Sequence, residues 1–488
     1  MAFILKLYDG TTTIDFISKA AGYSLADGGL TISAPKKKQI WGGDSIYVSG
    51  SSLVASTFNN REINIVFRVT GSSRDSVGDK VSAIERIIEN ARNRSIEQVG
   101  TRVELQYAWD GSSTTTYFEV IDGEINWPKD VMSVDQVHQT NSSGEYIIFD
   151  MELSLTVFPF TYKTSPVSGS PTEIGVSNTA TAKVTGGVVV FNHNDGATHQ
   201  NWIEIDAADV DGDYPALTKL ILKAESGEAE KTSKIYMGVR KGDQTFVHTL
   251  EDDDATFVIA SATPTSQPDD ASGDTYTNLV FSGTTEQALI QWGLTNAQTE
   301  ATKGPFRIFG RAKLSTHWDN AANYRVRILY GSAVMYEGEW RRPLDSTTEL
   351  FDFGTFFLPP WLVGSLTDIA GLTIEIQGVR ATAGTTTIAL DYLCLMPQDG
   401  GYRVIDFRNT GATQFDYVVD DGWTDTVYHI NSSSKKTGLP FGLMPRLRLV
   451  PNVKQRIYFL MEGTAKTSDI TRQLKVQVYT IPVFNTMS

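Results

Sequence analysis

The amino-acid sequence predicts a mainly β fold: a β-rich hub domain with one helix, then a jelly-roll or β-sandwich module, then a small C-terminal β unit. Two patterns predict it. Apolar residues recur at every second position in many short runs, as strands with one buried face require. Only one stretch of the first domain shows the three- and four-residue recurrence of a helix. The clearest strand lies in residues 146–166, YIIFDMELSLTVFPFTYKTSP. There Ile147, Phe149, Met151, Leu153, Leu155 and Val157 alternate with residues that include Asp150, Glu152, Ser154 and Thr156. At ~3.3 Å per residue such a strand spans roughly 35 Å, enough to cross a small β domain. Pro159 then removes a ladder donor, and Ser165-Pro166 opens a Ser/Gly/Pro/Thr run, so a domain is expected to close here.

A chain of 488 residues is too long for one core. The expected division is a hub domain at 1–166, a linker at 167–182, the β module at 183–400 and the C-terminal β domain at 401–488. Within the first domain, Phe3-Ile4-Leu5 leads to a turn at Asp9-Gly10, and Ile63, Ile65, Phe67 and Val69 alternate. Val77, Val81, Ile84, Ile88 and Ala91 form one apolar stripe, with Asp75 or Ser76 as the expected cap. Val103, Leu105 and Tyr107 alternate next, then Phe118 and Val120, then Ile125 and Trp127. In the middle region Tyr324, Val326 and Ile328 alternate with Arg325 and Arg327, and Glu375 stands between Ile374 and Ile376. Leu447 and Leu449, Ile457 and Phe459, and Leu474, Val476 and Val478 supply the last strands.

Apolar residues make up 41% and charged residues 20%, an ordinary folded composition. The net charge of −15 is concentrated in residues 167–400, which argues against a phosphate-neutralising nucleic-acid surface. No run approaches the ~18 apolar residues of a membrane span. The start, MAFILKLYDG, has no signal-peptide pattern, so synthesis in a reducing cytoplasm is expected. The lone Cys394, alternating with Leu390, Tyr392 and Met396, is expected to be a buried strand thiol.

The DG turn in LYDGTTTIDF, the strand REINIVFRV, the helix GSSRDSVGDKVSAIERIIENAR, the pair ending in GEINWP and the strand running into VFPF follow one another in that order. This order resembles the N-terminal hub domain of the distal tail protein of long-tailed phages, over about a third of the chain. The resemblance implies a structural virion protein at the tail tip, a homo-hexameric ring joining the tail tube protein to the baseplate hub. The runs FRIFGRAKL, YRVRILY, FDFGTFFL, LTIEIQGV and IALDYLCLMP resemble jelly-roll modules of carbohydrate-binding type. That resemblance implies a module placed for contact with a host-surface glycan. A free β-sandwich glycan-binding protein, a lectin or adhesin, is the alternative from another class.

No catalytic constellation stands out, so an enzyme is not expected. His138, His193, His199, His248, His317 and His429 show no metal-ligand spacing. Asp209, Asp211 and Asp213 are the metal candidates, since alternating carboxylates in a turn can converge on Ca2+. They lack the glycine and the later glutamate of a helix-loop-helix site, and a plain acidic turn is favoured; no cofactor is expected. Glu251 to Asp254 reads as a solvated acidic loop. Trp318, in THWDNAANY, is the aromatic with the best case for exposure. An exposed ring can stack on a sugar face, with His317, Asp319, Asn320 and Asn323 as hydroxyl partners. Core or interface packing of Trp318 is nonetheless the favoured reading, since Trp usually finds a partner surface.

Overall fold

A computed structural model describes residues 3–41, 53–97, 100–127, 140, 144–194, 198–225, 232–242, 246, 248–258, 262–266, 275–312, 318–344, 350–358, 371–406, 416–431, 433–439, 447–463 and 472–485. The described chain is mainly β, as expected, and falls into two compact units. The first comprises residues 1–171, 212–214 and 481–488, and the second comprises 172–211 and 215–480.

In the first unit the strands are β1 (Ile4–Tyr8), β2 (Thr13–Asp15), β3 (Tyr23–Ile32), β4 (Lys37–Trp41), β5 (Leu53–Phe58) and β6 (Arg61–Gly71). After helix α1 (Arg74–Glu97) come β7 (Val103–Ala108), β8 (Thr116–Asn126), β9 (Tyr146–Val157) and β10 (Thr161–Tyr162). All the pairings are antiparallel, in the order β2-β1-β7-β8 and onward through β9 and β6 to β3. The hairpin β4–β5 forms its own two-stranded sheet. The apolar stripe of α1, with Ile87 added, packs on Leu5, Leu7, Ile63, Ile65, Phe67, Leu105, Phe118, Leu153 and Leu155. One stripe on one helix thus meets one sheet face, and the burial of these side chains drives the docking.

Local chemistry fixes the details. The helix cap is Ser73, whose Oγ accepts the Ser76 N–H at 3.1 Å, rather than Asp75 or Ser76. The Asp9-Gly10 turn is held by Asp9, which accepts from the backbone N–H groups of Thr11 and Thr12 and from the Asn90 side chain on α1. In β9 the alternation holds from Met151 to Val157, but Asp150 sits at φ 52° and the pairing with β6 slips there. That bulge inverts the phase, so Ile148 is buried and Ile147 only half-buried.

The first unit is closed by residues from the far end of the chain. Thr161 and Tyr162 pair with Phe484 and Val483. The buried Arg61 donates from Nε to the Pro159 carbonyl and from Nη2 to the Asn485 carbonyl, each at 2.5 Å. Asp213 accepts the Asn485 N–H at 2.8 Å, and Lys163 Nζ lies 4.1 Å from the Phe484 ring centroid.

The second unit is a stack of sheets. The strand Gln473–Phe484, up to Thr480, pairs with Thr172–Ile174 and Val188–Phe191. The first of these pairing segments lies in the stretch expected as a linker. Tyr214–Ala224 pairs with Tyr417–Asp421, which pairs with Thr426–Ile430. A four-stranded sheet runs Trp202–Ile205, Gln455–Gly463, Thr232–Lys241, Tyr402–Asp406. One of its faces buries Ile203, Ile235, Met237, Val239, Ile457 and Phe459 against Val190, Leu220, Leu222 and Val476. Its other face gives Tyr236, Tyr402, Tyr458 and Leu460 to a second core. That core is shared with a six-stranded sheet containing Gly304–Ala312, Leu350–Leu358 and Thr385–Pro397 and a five-stranded sheet. Buried on both faces from Ile388 onward, the Thr385–Pro397 strand is there apolar apart from Asp391, and Cys394 is buried in it.

Strands from 401–480 therefore complete a sandwich begun by residues 188–241, and residues 249–397 form two further sheets between them in sequence. The sequence boundary at 400/401 falls inside one compact unit.

Candidate functional site

The five-stranded sheet runs Thr256–Phe257, Gln287–Gly293, Leu372–Arg380, Ala322–Tyr330, Ala333–Glu337. Its inner residues Trp292, Ile374, Ile376, Tyr324, Val326 and Ile328 are in the core. Alternation therefore turns Arg325, Arg327, Glu375, Gln377 and Gln291 to the opposite face. Register makes them neighbours: Arg325 stands opposite Gln377, and Arg327 opposite Glu375, which also faces Gln291.

The result is a cross-strand polar ladder. Arg327 donates from Nε (2.8 Å) and Nη2 to Glu375 Oε1, and Gln291 donates to Glu375 Oε2. Arg325 donates from Nε to Gln377 Oε1 at 2.7 Å, while its Nη2 lies 2.7 Å from Glu337 and 3.0 Å from Glu286. The Arg325 guanidinium also sits 4.4 Å from the ring centroid of the half-buried Trp340. Glu375 is buried at the centre of the ladder, whereas the Glu286 and Glu337 side chains at its rim are 55% and 44% exposed. Sequence alternation marks Arg325, Arg327 and Glu375 as outward-facing; their pairing across strands was the missing part.

Of the residues put forward for glycan contact, Trp318 follows the favoured alternative and packs in the core, which corrects its candidacy as an exposed ring. It is fully buried, its Nε1 donates to the Gly310 carbonyl at 3.0 Å, and its ring packs against Tyr324, Phe351 and Phe353. Room for it comes from Gly310, where a Cβ would stand 2.6 Å from Trp318 Cζ2. The ring therefore presents no face for stacking. Asp319 is engaged internally, accepting from Ala321 N–H, Arg380 and Thr386. Desolvation pushes its pKa up, but those hydrogen bonds and the Arg380 charge prevail and the net shift is down. The Asn320 carbonyl accepts from Arg342. Asn323 shares the ladder's face, and His317 lies outside the described residues.

Two carboxylates of the acidic turn are already engaged: Asp209 Oδ2 is 2.6 Å from Lys183 Nζ, and Asp213 accepts the Asn485 N–H. Among the described residues no group of three His, Cys, Asp or Glu side chains is placed to hold a metal ion. In the 251–254 run, Asp252 is buried rather than solvated, and its carboxylate accepts from the Thr275 and Thr277 hydroxyls.

One buried pair has the composition of a nucleophilic site. His248 stacks on Tyr458 with centroids 4.5 Å apart, and its Nε2 is 3.4 Å from Cys394 Sγ. Burial pushes the imidazole down to about 3 and the thiol up, so both are neutral near pH 7 and the thiolate a nucleophile needs is absent.

No protein-family model matches the chain, and no curated protein matches it. Solved structures to which it is similar include the Dit protein of SPP1, described as a paradigm of the hub adsorption apparatus of phages infecting Gram-positive hosts. That likeness has 7% identity and a TM-score of 0.25 over 98% of each chain. The baseplate of phage p2 in its activated conformation with Sr matches at 8% identity and TM-score 0.26, over 99% of this chain and 98% of that one. The P2 baseplate with Ca matches at 9% and 0.24, over 77% of this chain and 98% of that one. Likenesses at this level do not place a chain in a family. Among the described residues no helix is long and apolar enough to cross a membrane.

Proposed function

We propose that the protein is a structural component of a phage tail tip. Its first unit forms a homo-hexameric ring between the tail tube protein and the baseplate hub, and the sheets of residues 249–397 contact a host-surface glycan. The observation that carries the reading is the order of elements in the first unit. A DG turn, the strand REINIVFRV, a single long helix, the β7–β8 pair and the long strand β9 lie on one core in the sequence the hub resemblance requires. This is an argument from fold order, and a fold by itself does not dictate a function. The hairpin β4–β5 adds support, because a two-stranded ribbon is marginal alone in water and gains from covering by another subunit.

Sedimentation and particle imaging of the full chain test the proposal. Rings of six copies are expected at micromolar concentration. A monomer that persists to millimolar concentration overturns the ring, and if that monomer binds saccharide the lectin class takes its place.

A further inference from the structure

We infer that the outer face of the strands Tyr214–Ala224, Tyr417–Asp421, Thr426–Ile430 and Lys436–Gly438 binds an acidic sugar, one carrying a carboxylate or phosphate on an otherwise uncharged glycan chain. The inference goes beyond the tail-tip proposal, since the face lies outside residues 249–397 and serves a ring or a monomer alike. Register and alternation build it. Leu220, Leu222, Val418, Val427 and Leu439 point into the core, so their neighbours in sequence point the other way. Pairing then sets Lys223, Tyr417, Ile430 and Lys436 in one row across the four strands. The next row is Ile221, Val419, Tyr428 and Gly438. This end of the face is open. Lys223 and Lys436 are exposed, the tyrosines and isoleucines between them are half-buried, and Val419 forms the buried floor. A Cβ added at Gly438 would meet no atom within 4 Å, so the position opposite Tyr428 is an unfilled space.

Charge on the face is mostly balanced, with one exception. Lys219 lies 3.2 Å from Asp421 and Lys223 lies 3.7 Å from Glu225. Lys436 instead stands over an aromatic ring, its Nζ 3.7 Å from the Tyr428 centroid, and among the described residues no carboxylate pairs with it. One exposed ammonium is therefore in excess, on a chain whose net charge is −15. The surrounding sequence has the same local sign, because residues 401–488 hold 11 Lys and Arg against 7 Asp and Glu. An acidic sugar matches each part of this arrangement. Its anion meets Lys436 in a charge-assisted hydrogen bond, and its C–H face lies on the Tyr428, Tyr417 and Ile430 side chains. The tyrosine hydroxyls donate to and accept from its hydroxyls. A neutral glycan leaves the Lys436 charge without a counterpart. Single-stranded nucleic acid needs a basic groove that follows successive phosphates, which one excess ammonium does not make, and the net charge of the chain repels it.

Affinity electrophoresis of the full chain tests the inference, through gels containing hyaluronan for the carboxylate, phosphomannan for the phosphate, and dextran as the uncharged comparison. Retardation by hyaluronan or phosphomannan, relative to a gel without polymer, is expected, and which of the two retards identifies the anion. It should weaken as salt rises past about 0.1 M. Lys436→Glu and Gly438→Leu should each reduce it about tenfold, whereas Lys436→Arg retains it. Both positions are exposed, so the melting temperature and the oligomer should stay as in the wild type. Retardation by neither acidic polymer, equal retardation by dextran, or equal retardation of wild type and Gly438→Leu overturns the assignment. Tighter binding of single-stranded oligothymidylate than of either acidic polymer also overturns it, in favour of a nucleic-acid face. Sedimentation reads the ring separately, so an intact ring without retardation refutes this site alone and leaves the tail-tip proposal standing.

Discussion

Removing residues 481–488 should unfold the first unit even though those residues lie more than three hundred positions from its last internal strand. The segment carries Ile481, Val483 and Phe484, all buried. At about 1.5–3 kcal/mol per buried side chain, their loss costs about 5–9 kcal/mol. The Asn485 carbonyl goes with them, stranding a donor of the buried Arg61 at a further cost of about 1–3 kcal/mol. That sum rivals the ~5–15 kcal/mol total stability of a typical domain. Hydrogen exchange provides the assay. Peptides from β6 and β9 should lose protection on truncation, while those from Leu372–Arg380 and Gln455–Gly463 keep theirs. Phe484→Ala is the milder arm, expected to cost about 3–5 kcal/mol through lost burial and the lost Lys163 contact. Unchanged protection of β6 in the truncated chain would refute the reasoning, because it would mean that residues 1–171 close their own core.

Three further outcomes follow from buried groups. Arg403→Ala, which strands Asp420 in a buried ion pair between two sheets of the second unit, should cost about 3–5 kcal/mol in urea unfolding, whereas Arg403→Met with Asp420→Leu should restore most of it. Gly310→Ala should cost about 1–3 kcal/mol, because its Cβ would meet Trp318 at 2.6 Å and Phe353 at 2.9 Å, and near-ultraviolet circular dichroism should report the displaced indole. His248, held down to about 3 by burial, stays neutral in the fold while the unfolded chain protonates near 6.5; stability is therefore full above pH 6.5 and lost as pH falls toward 3, and His248→Phe should flatten that limb of a stability–pH profile.

The first unit was largely legible because its signals are local. Alternation in β6, the stripe of α1 and the turn at Asp9-Gly10 are written in adjacent residues, and each forms as its pattern requires. The second unit was legible as strands but not as an assembly. Nothing near Leu474, Val476 and Val478 says that they pair with Val188–Phe191, nearly three hundred residues earlier. Register across such distances is set by complementary packing of whole faces, which leaves no mark in a short window. The phase slip at Asp150 was hidden for a related reason. A bulge changes which residue faces inward without interrupting the apolar alternation that suggests a single face.

The site shows the same limit in chemical form. The polar neighbours of Trp318 make the case for its exposure, yet they serve the fold from within. Asp319 ties Arg380 and Thr386 together, and the indole is buried on a glycine that leaves it room. Polarity of a segment therefore reports hydrogen-bonding demand, which solvent or the protein itself can meet, and is not a measure of exposure. The converse holds for Arg325, Arg327, Glu375 and Gln377. Each looks like an ordinary outward residue between apolar neighbours, and only the pairing of two strands fifty positions apart turns four isolated polar side chains into one largely buried ladder. A polar ladder built on a sheet is thus a property of register, and chain order alone scatters its members.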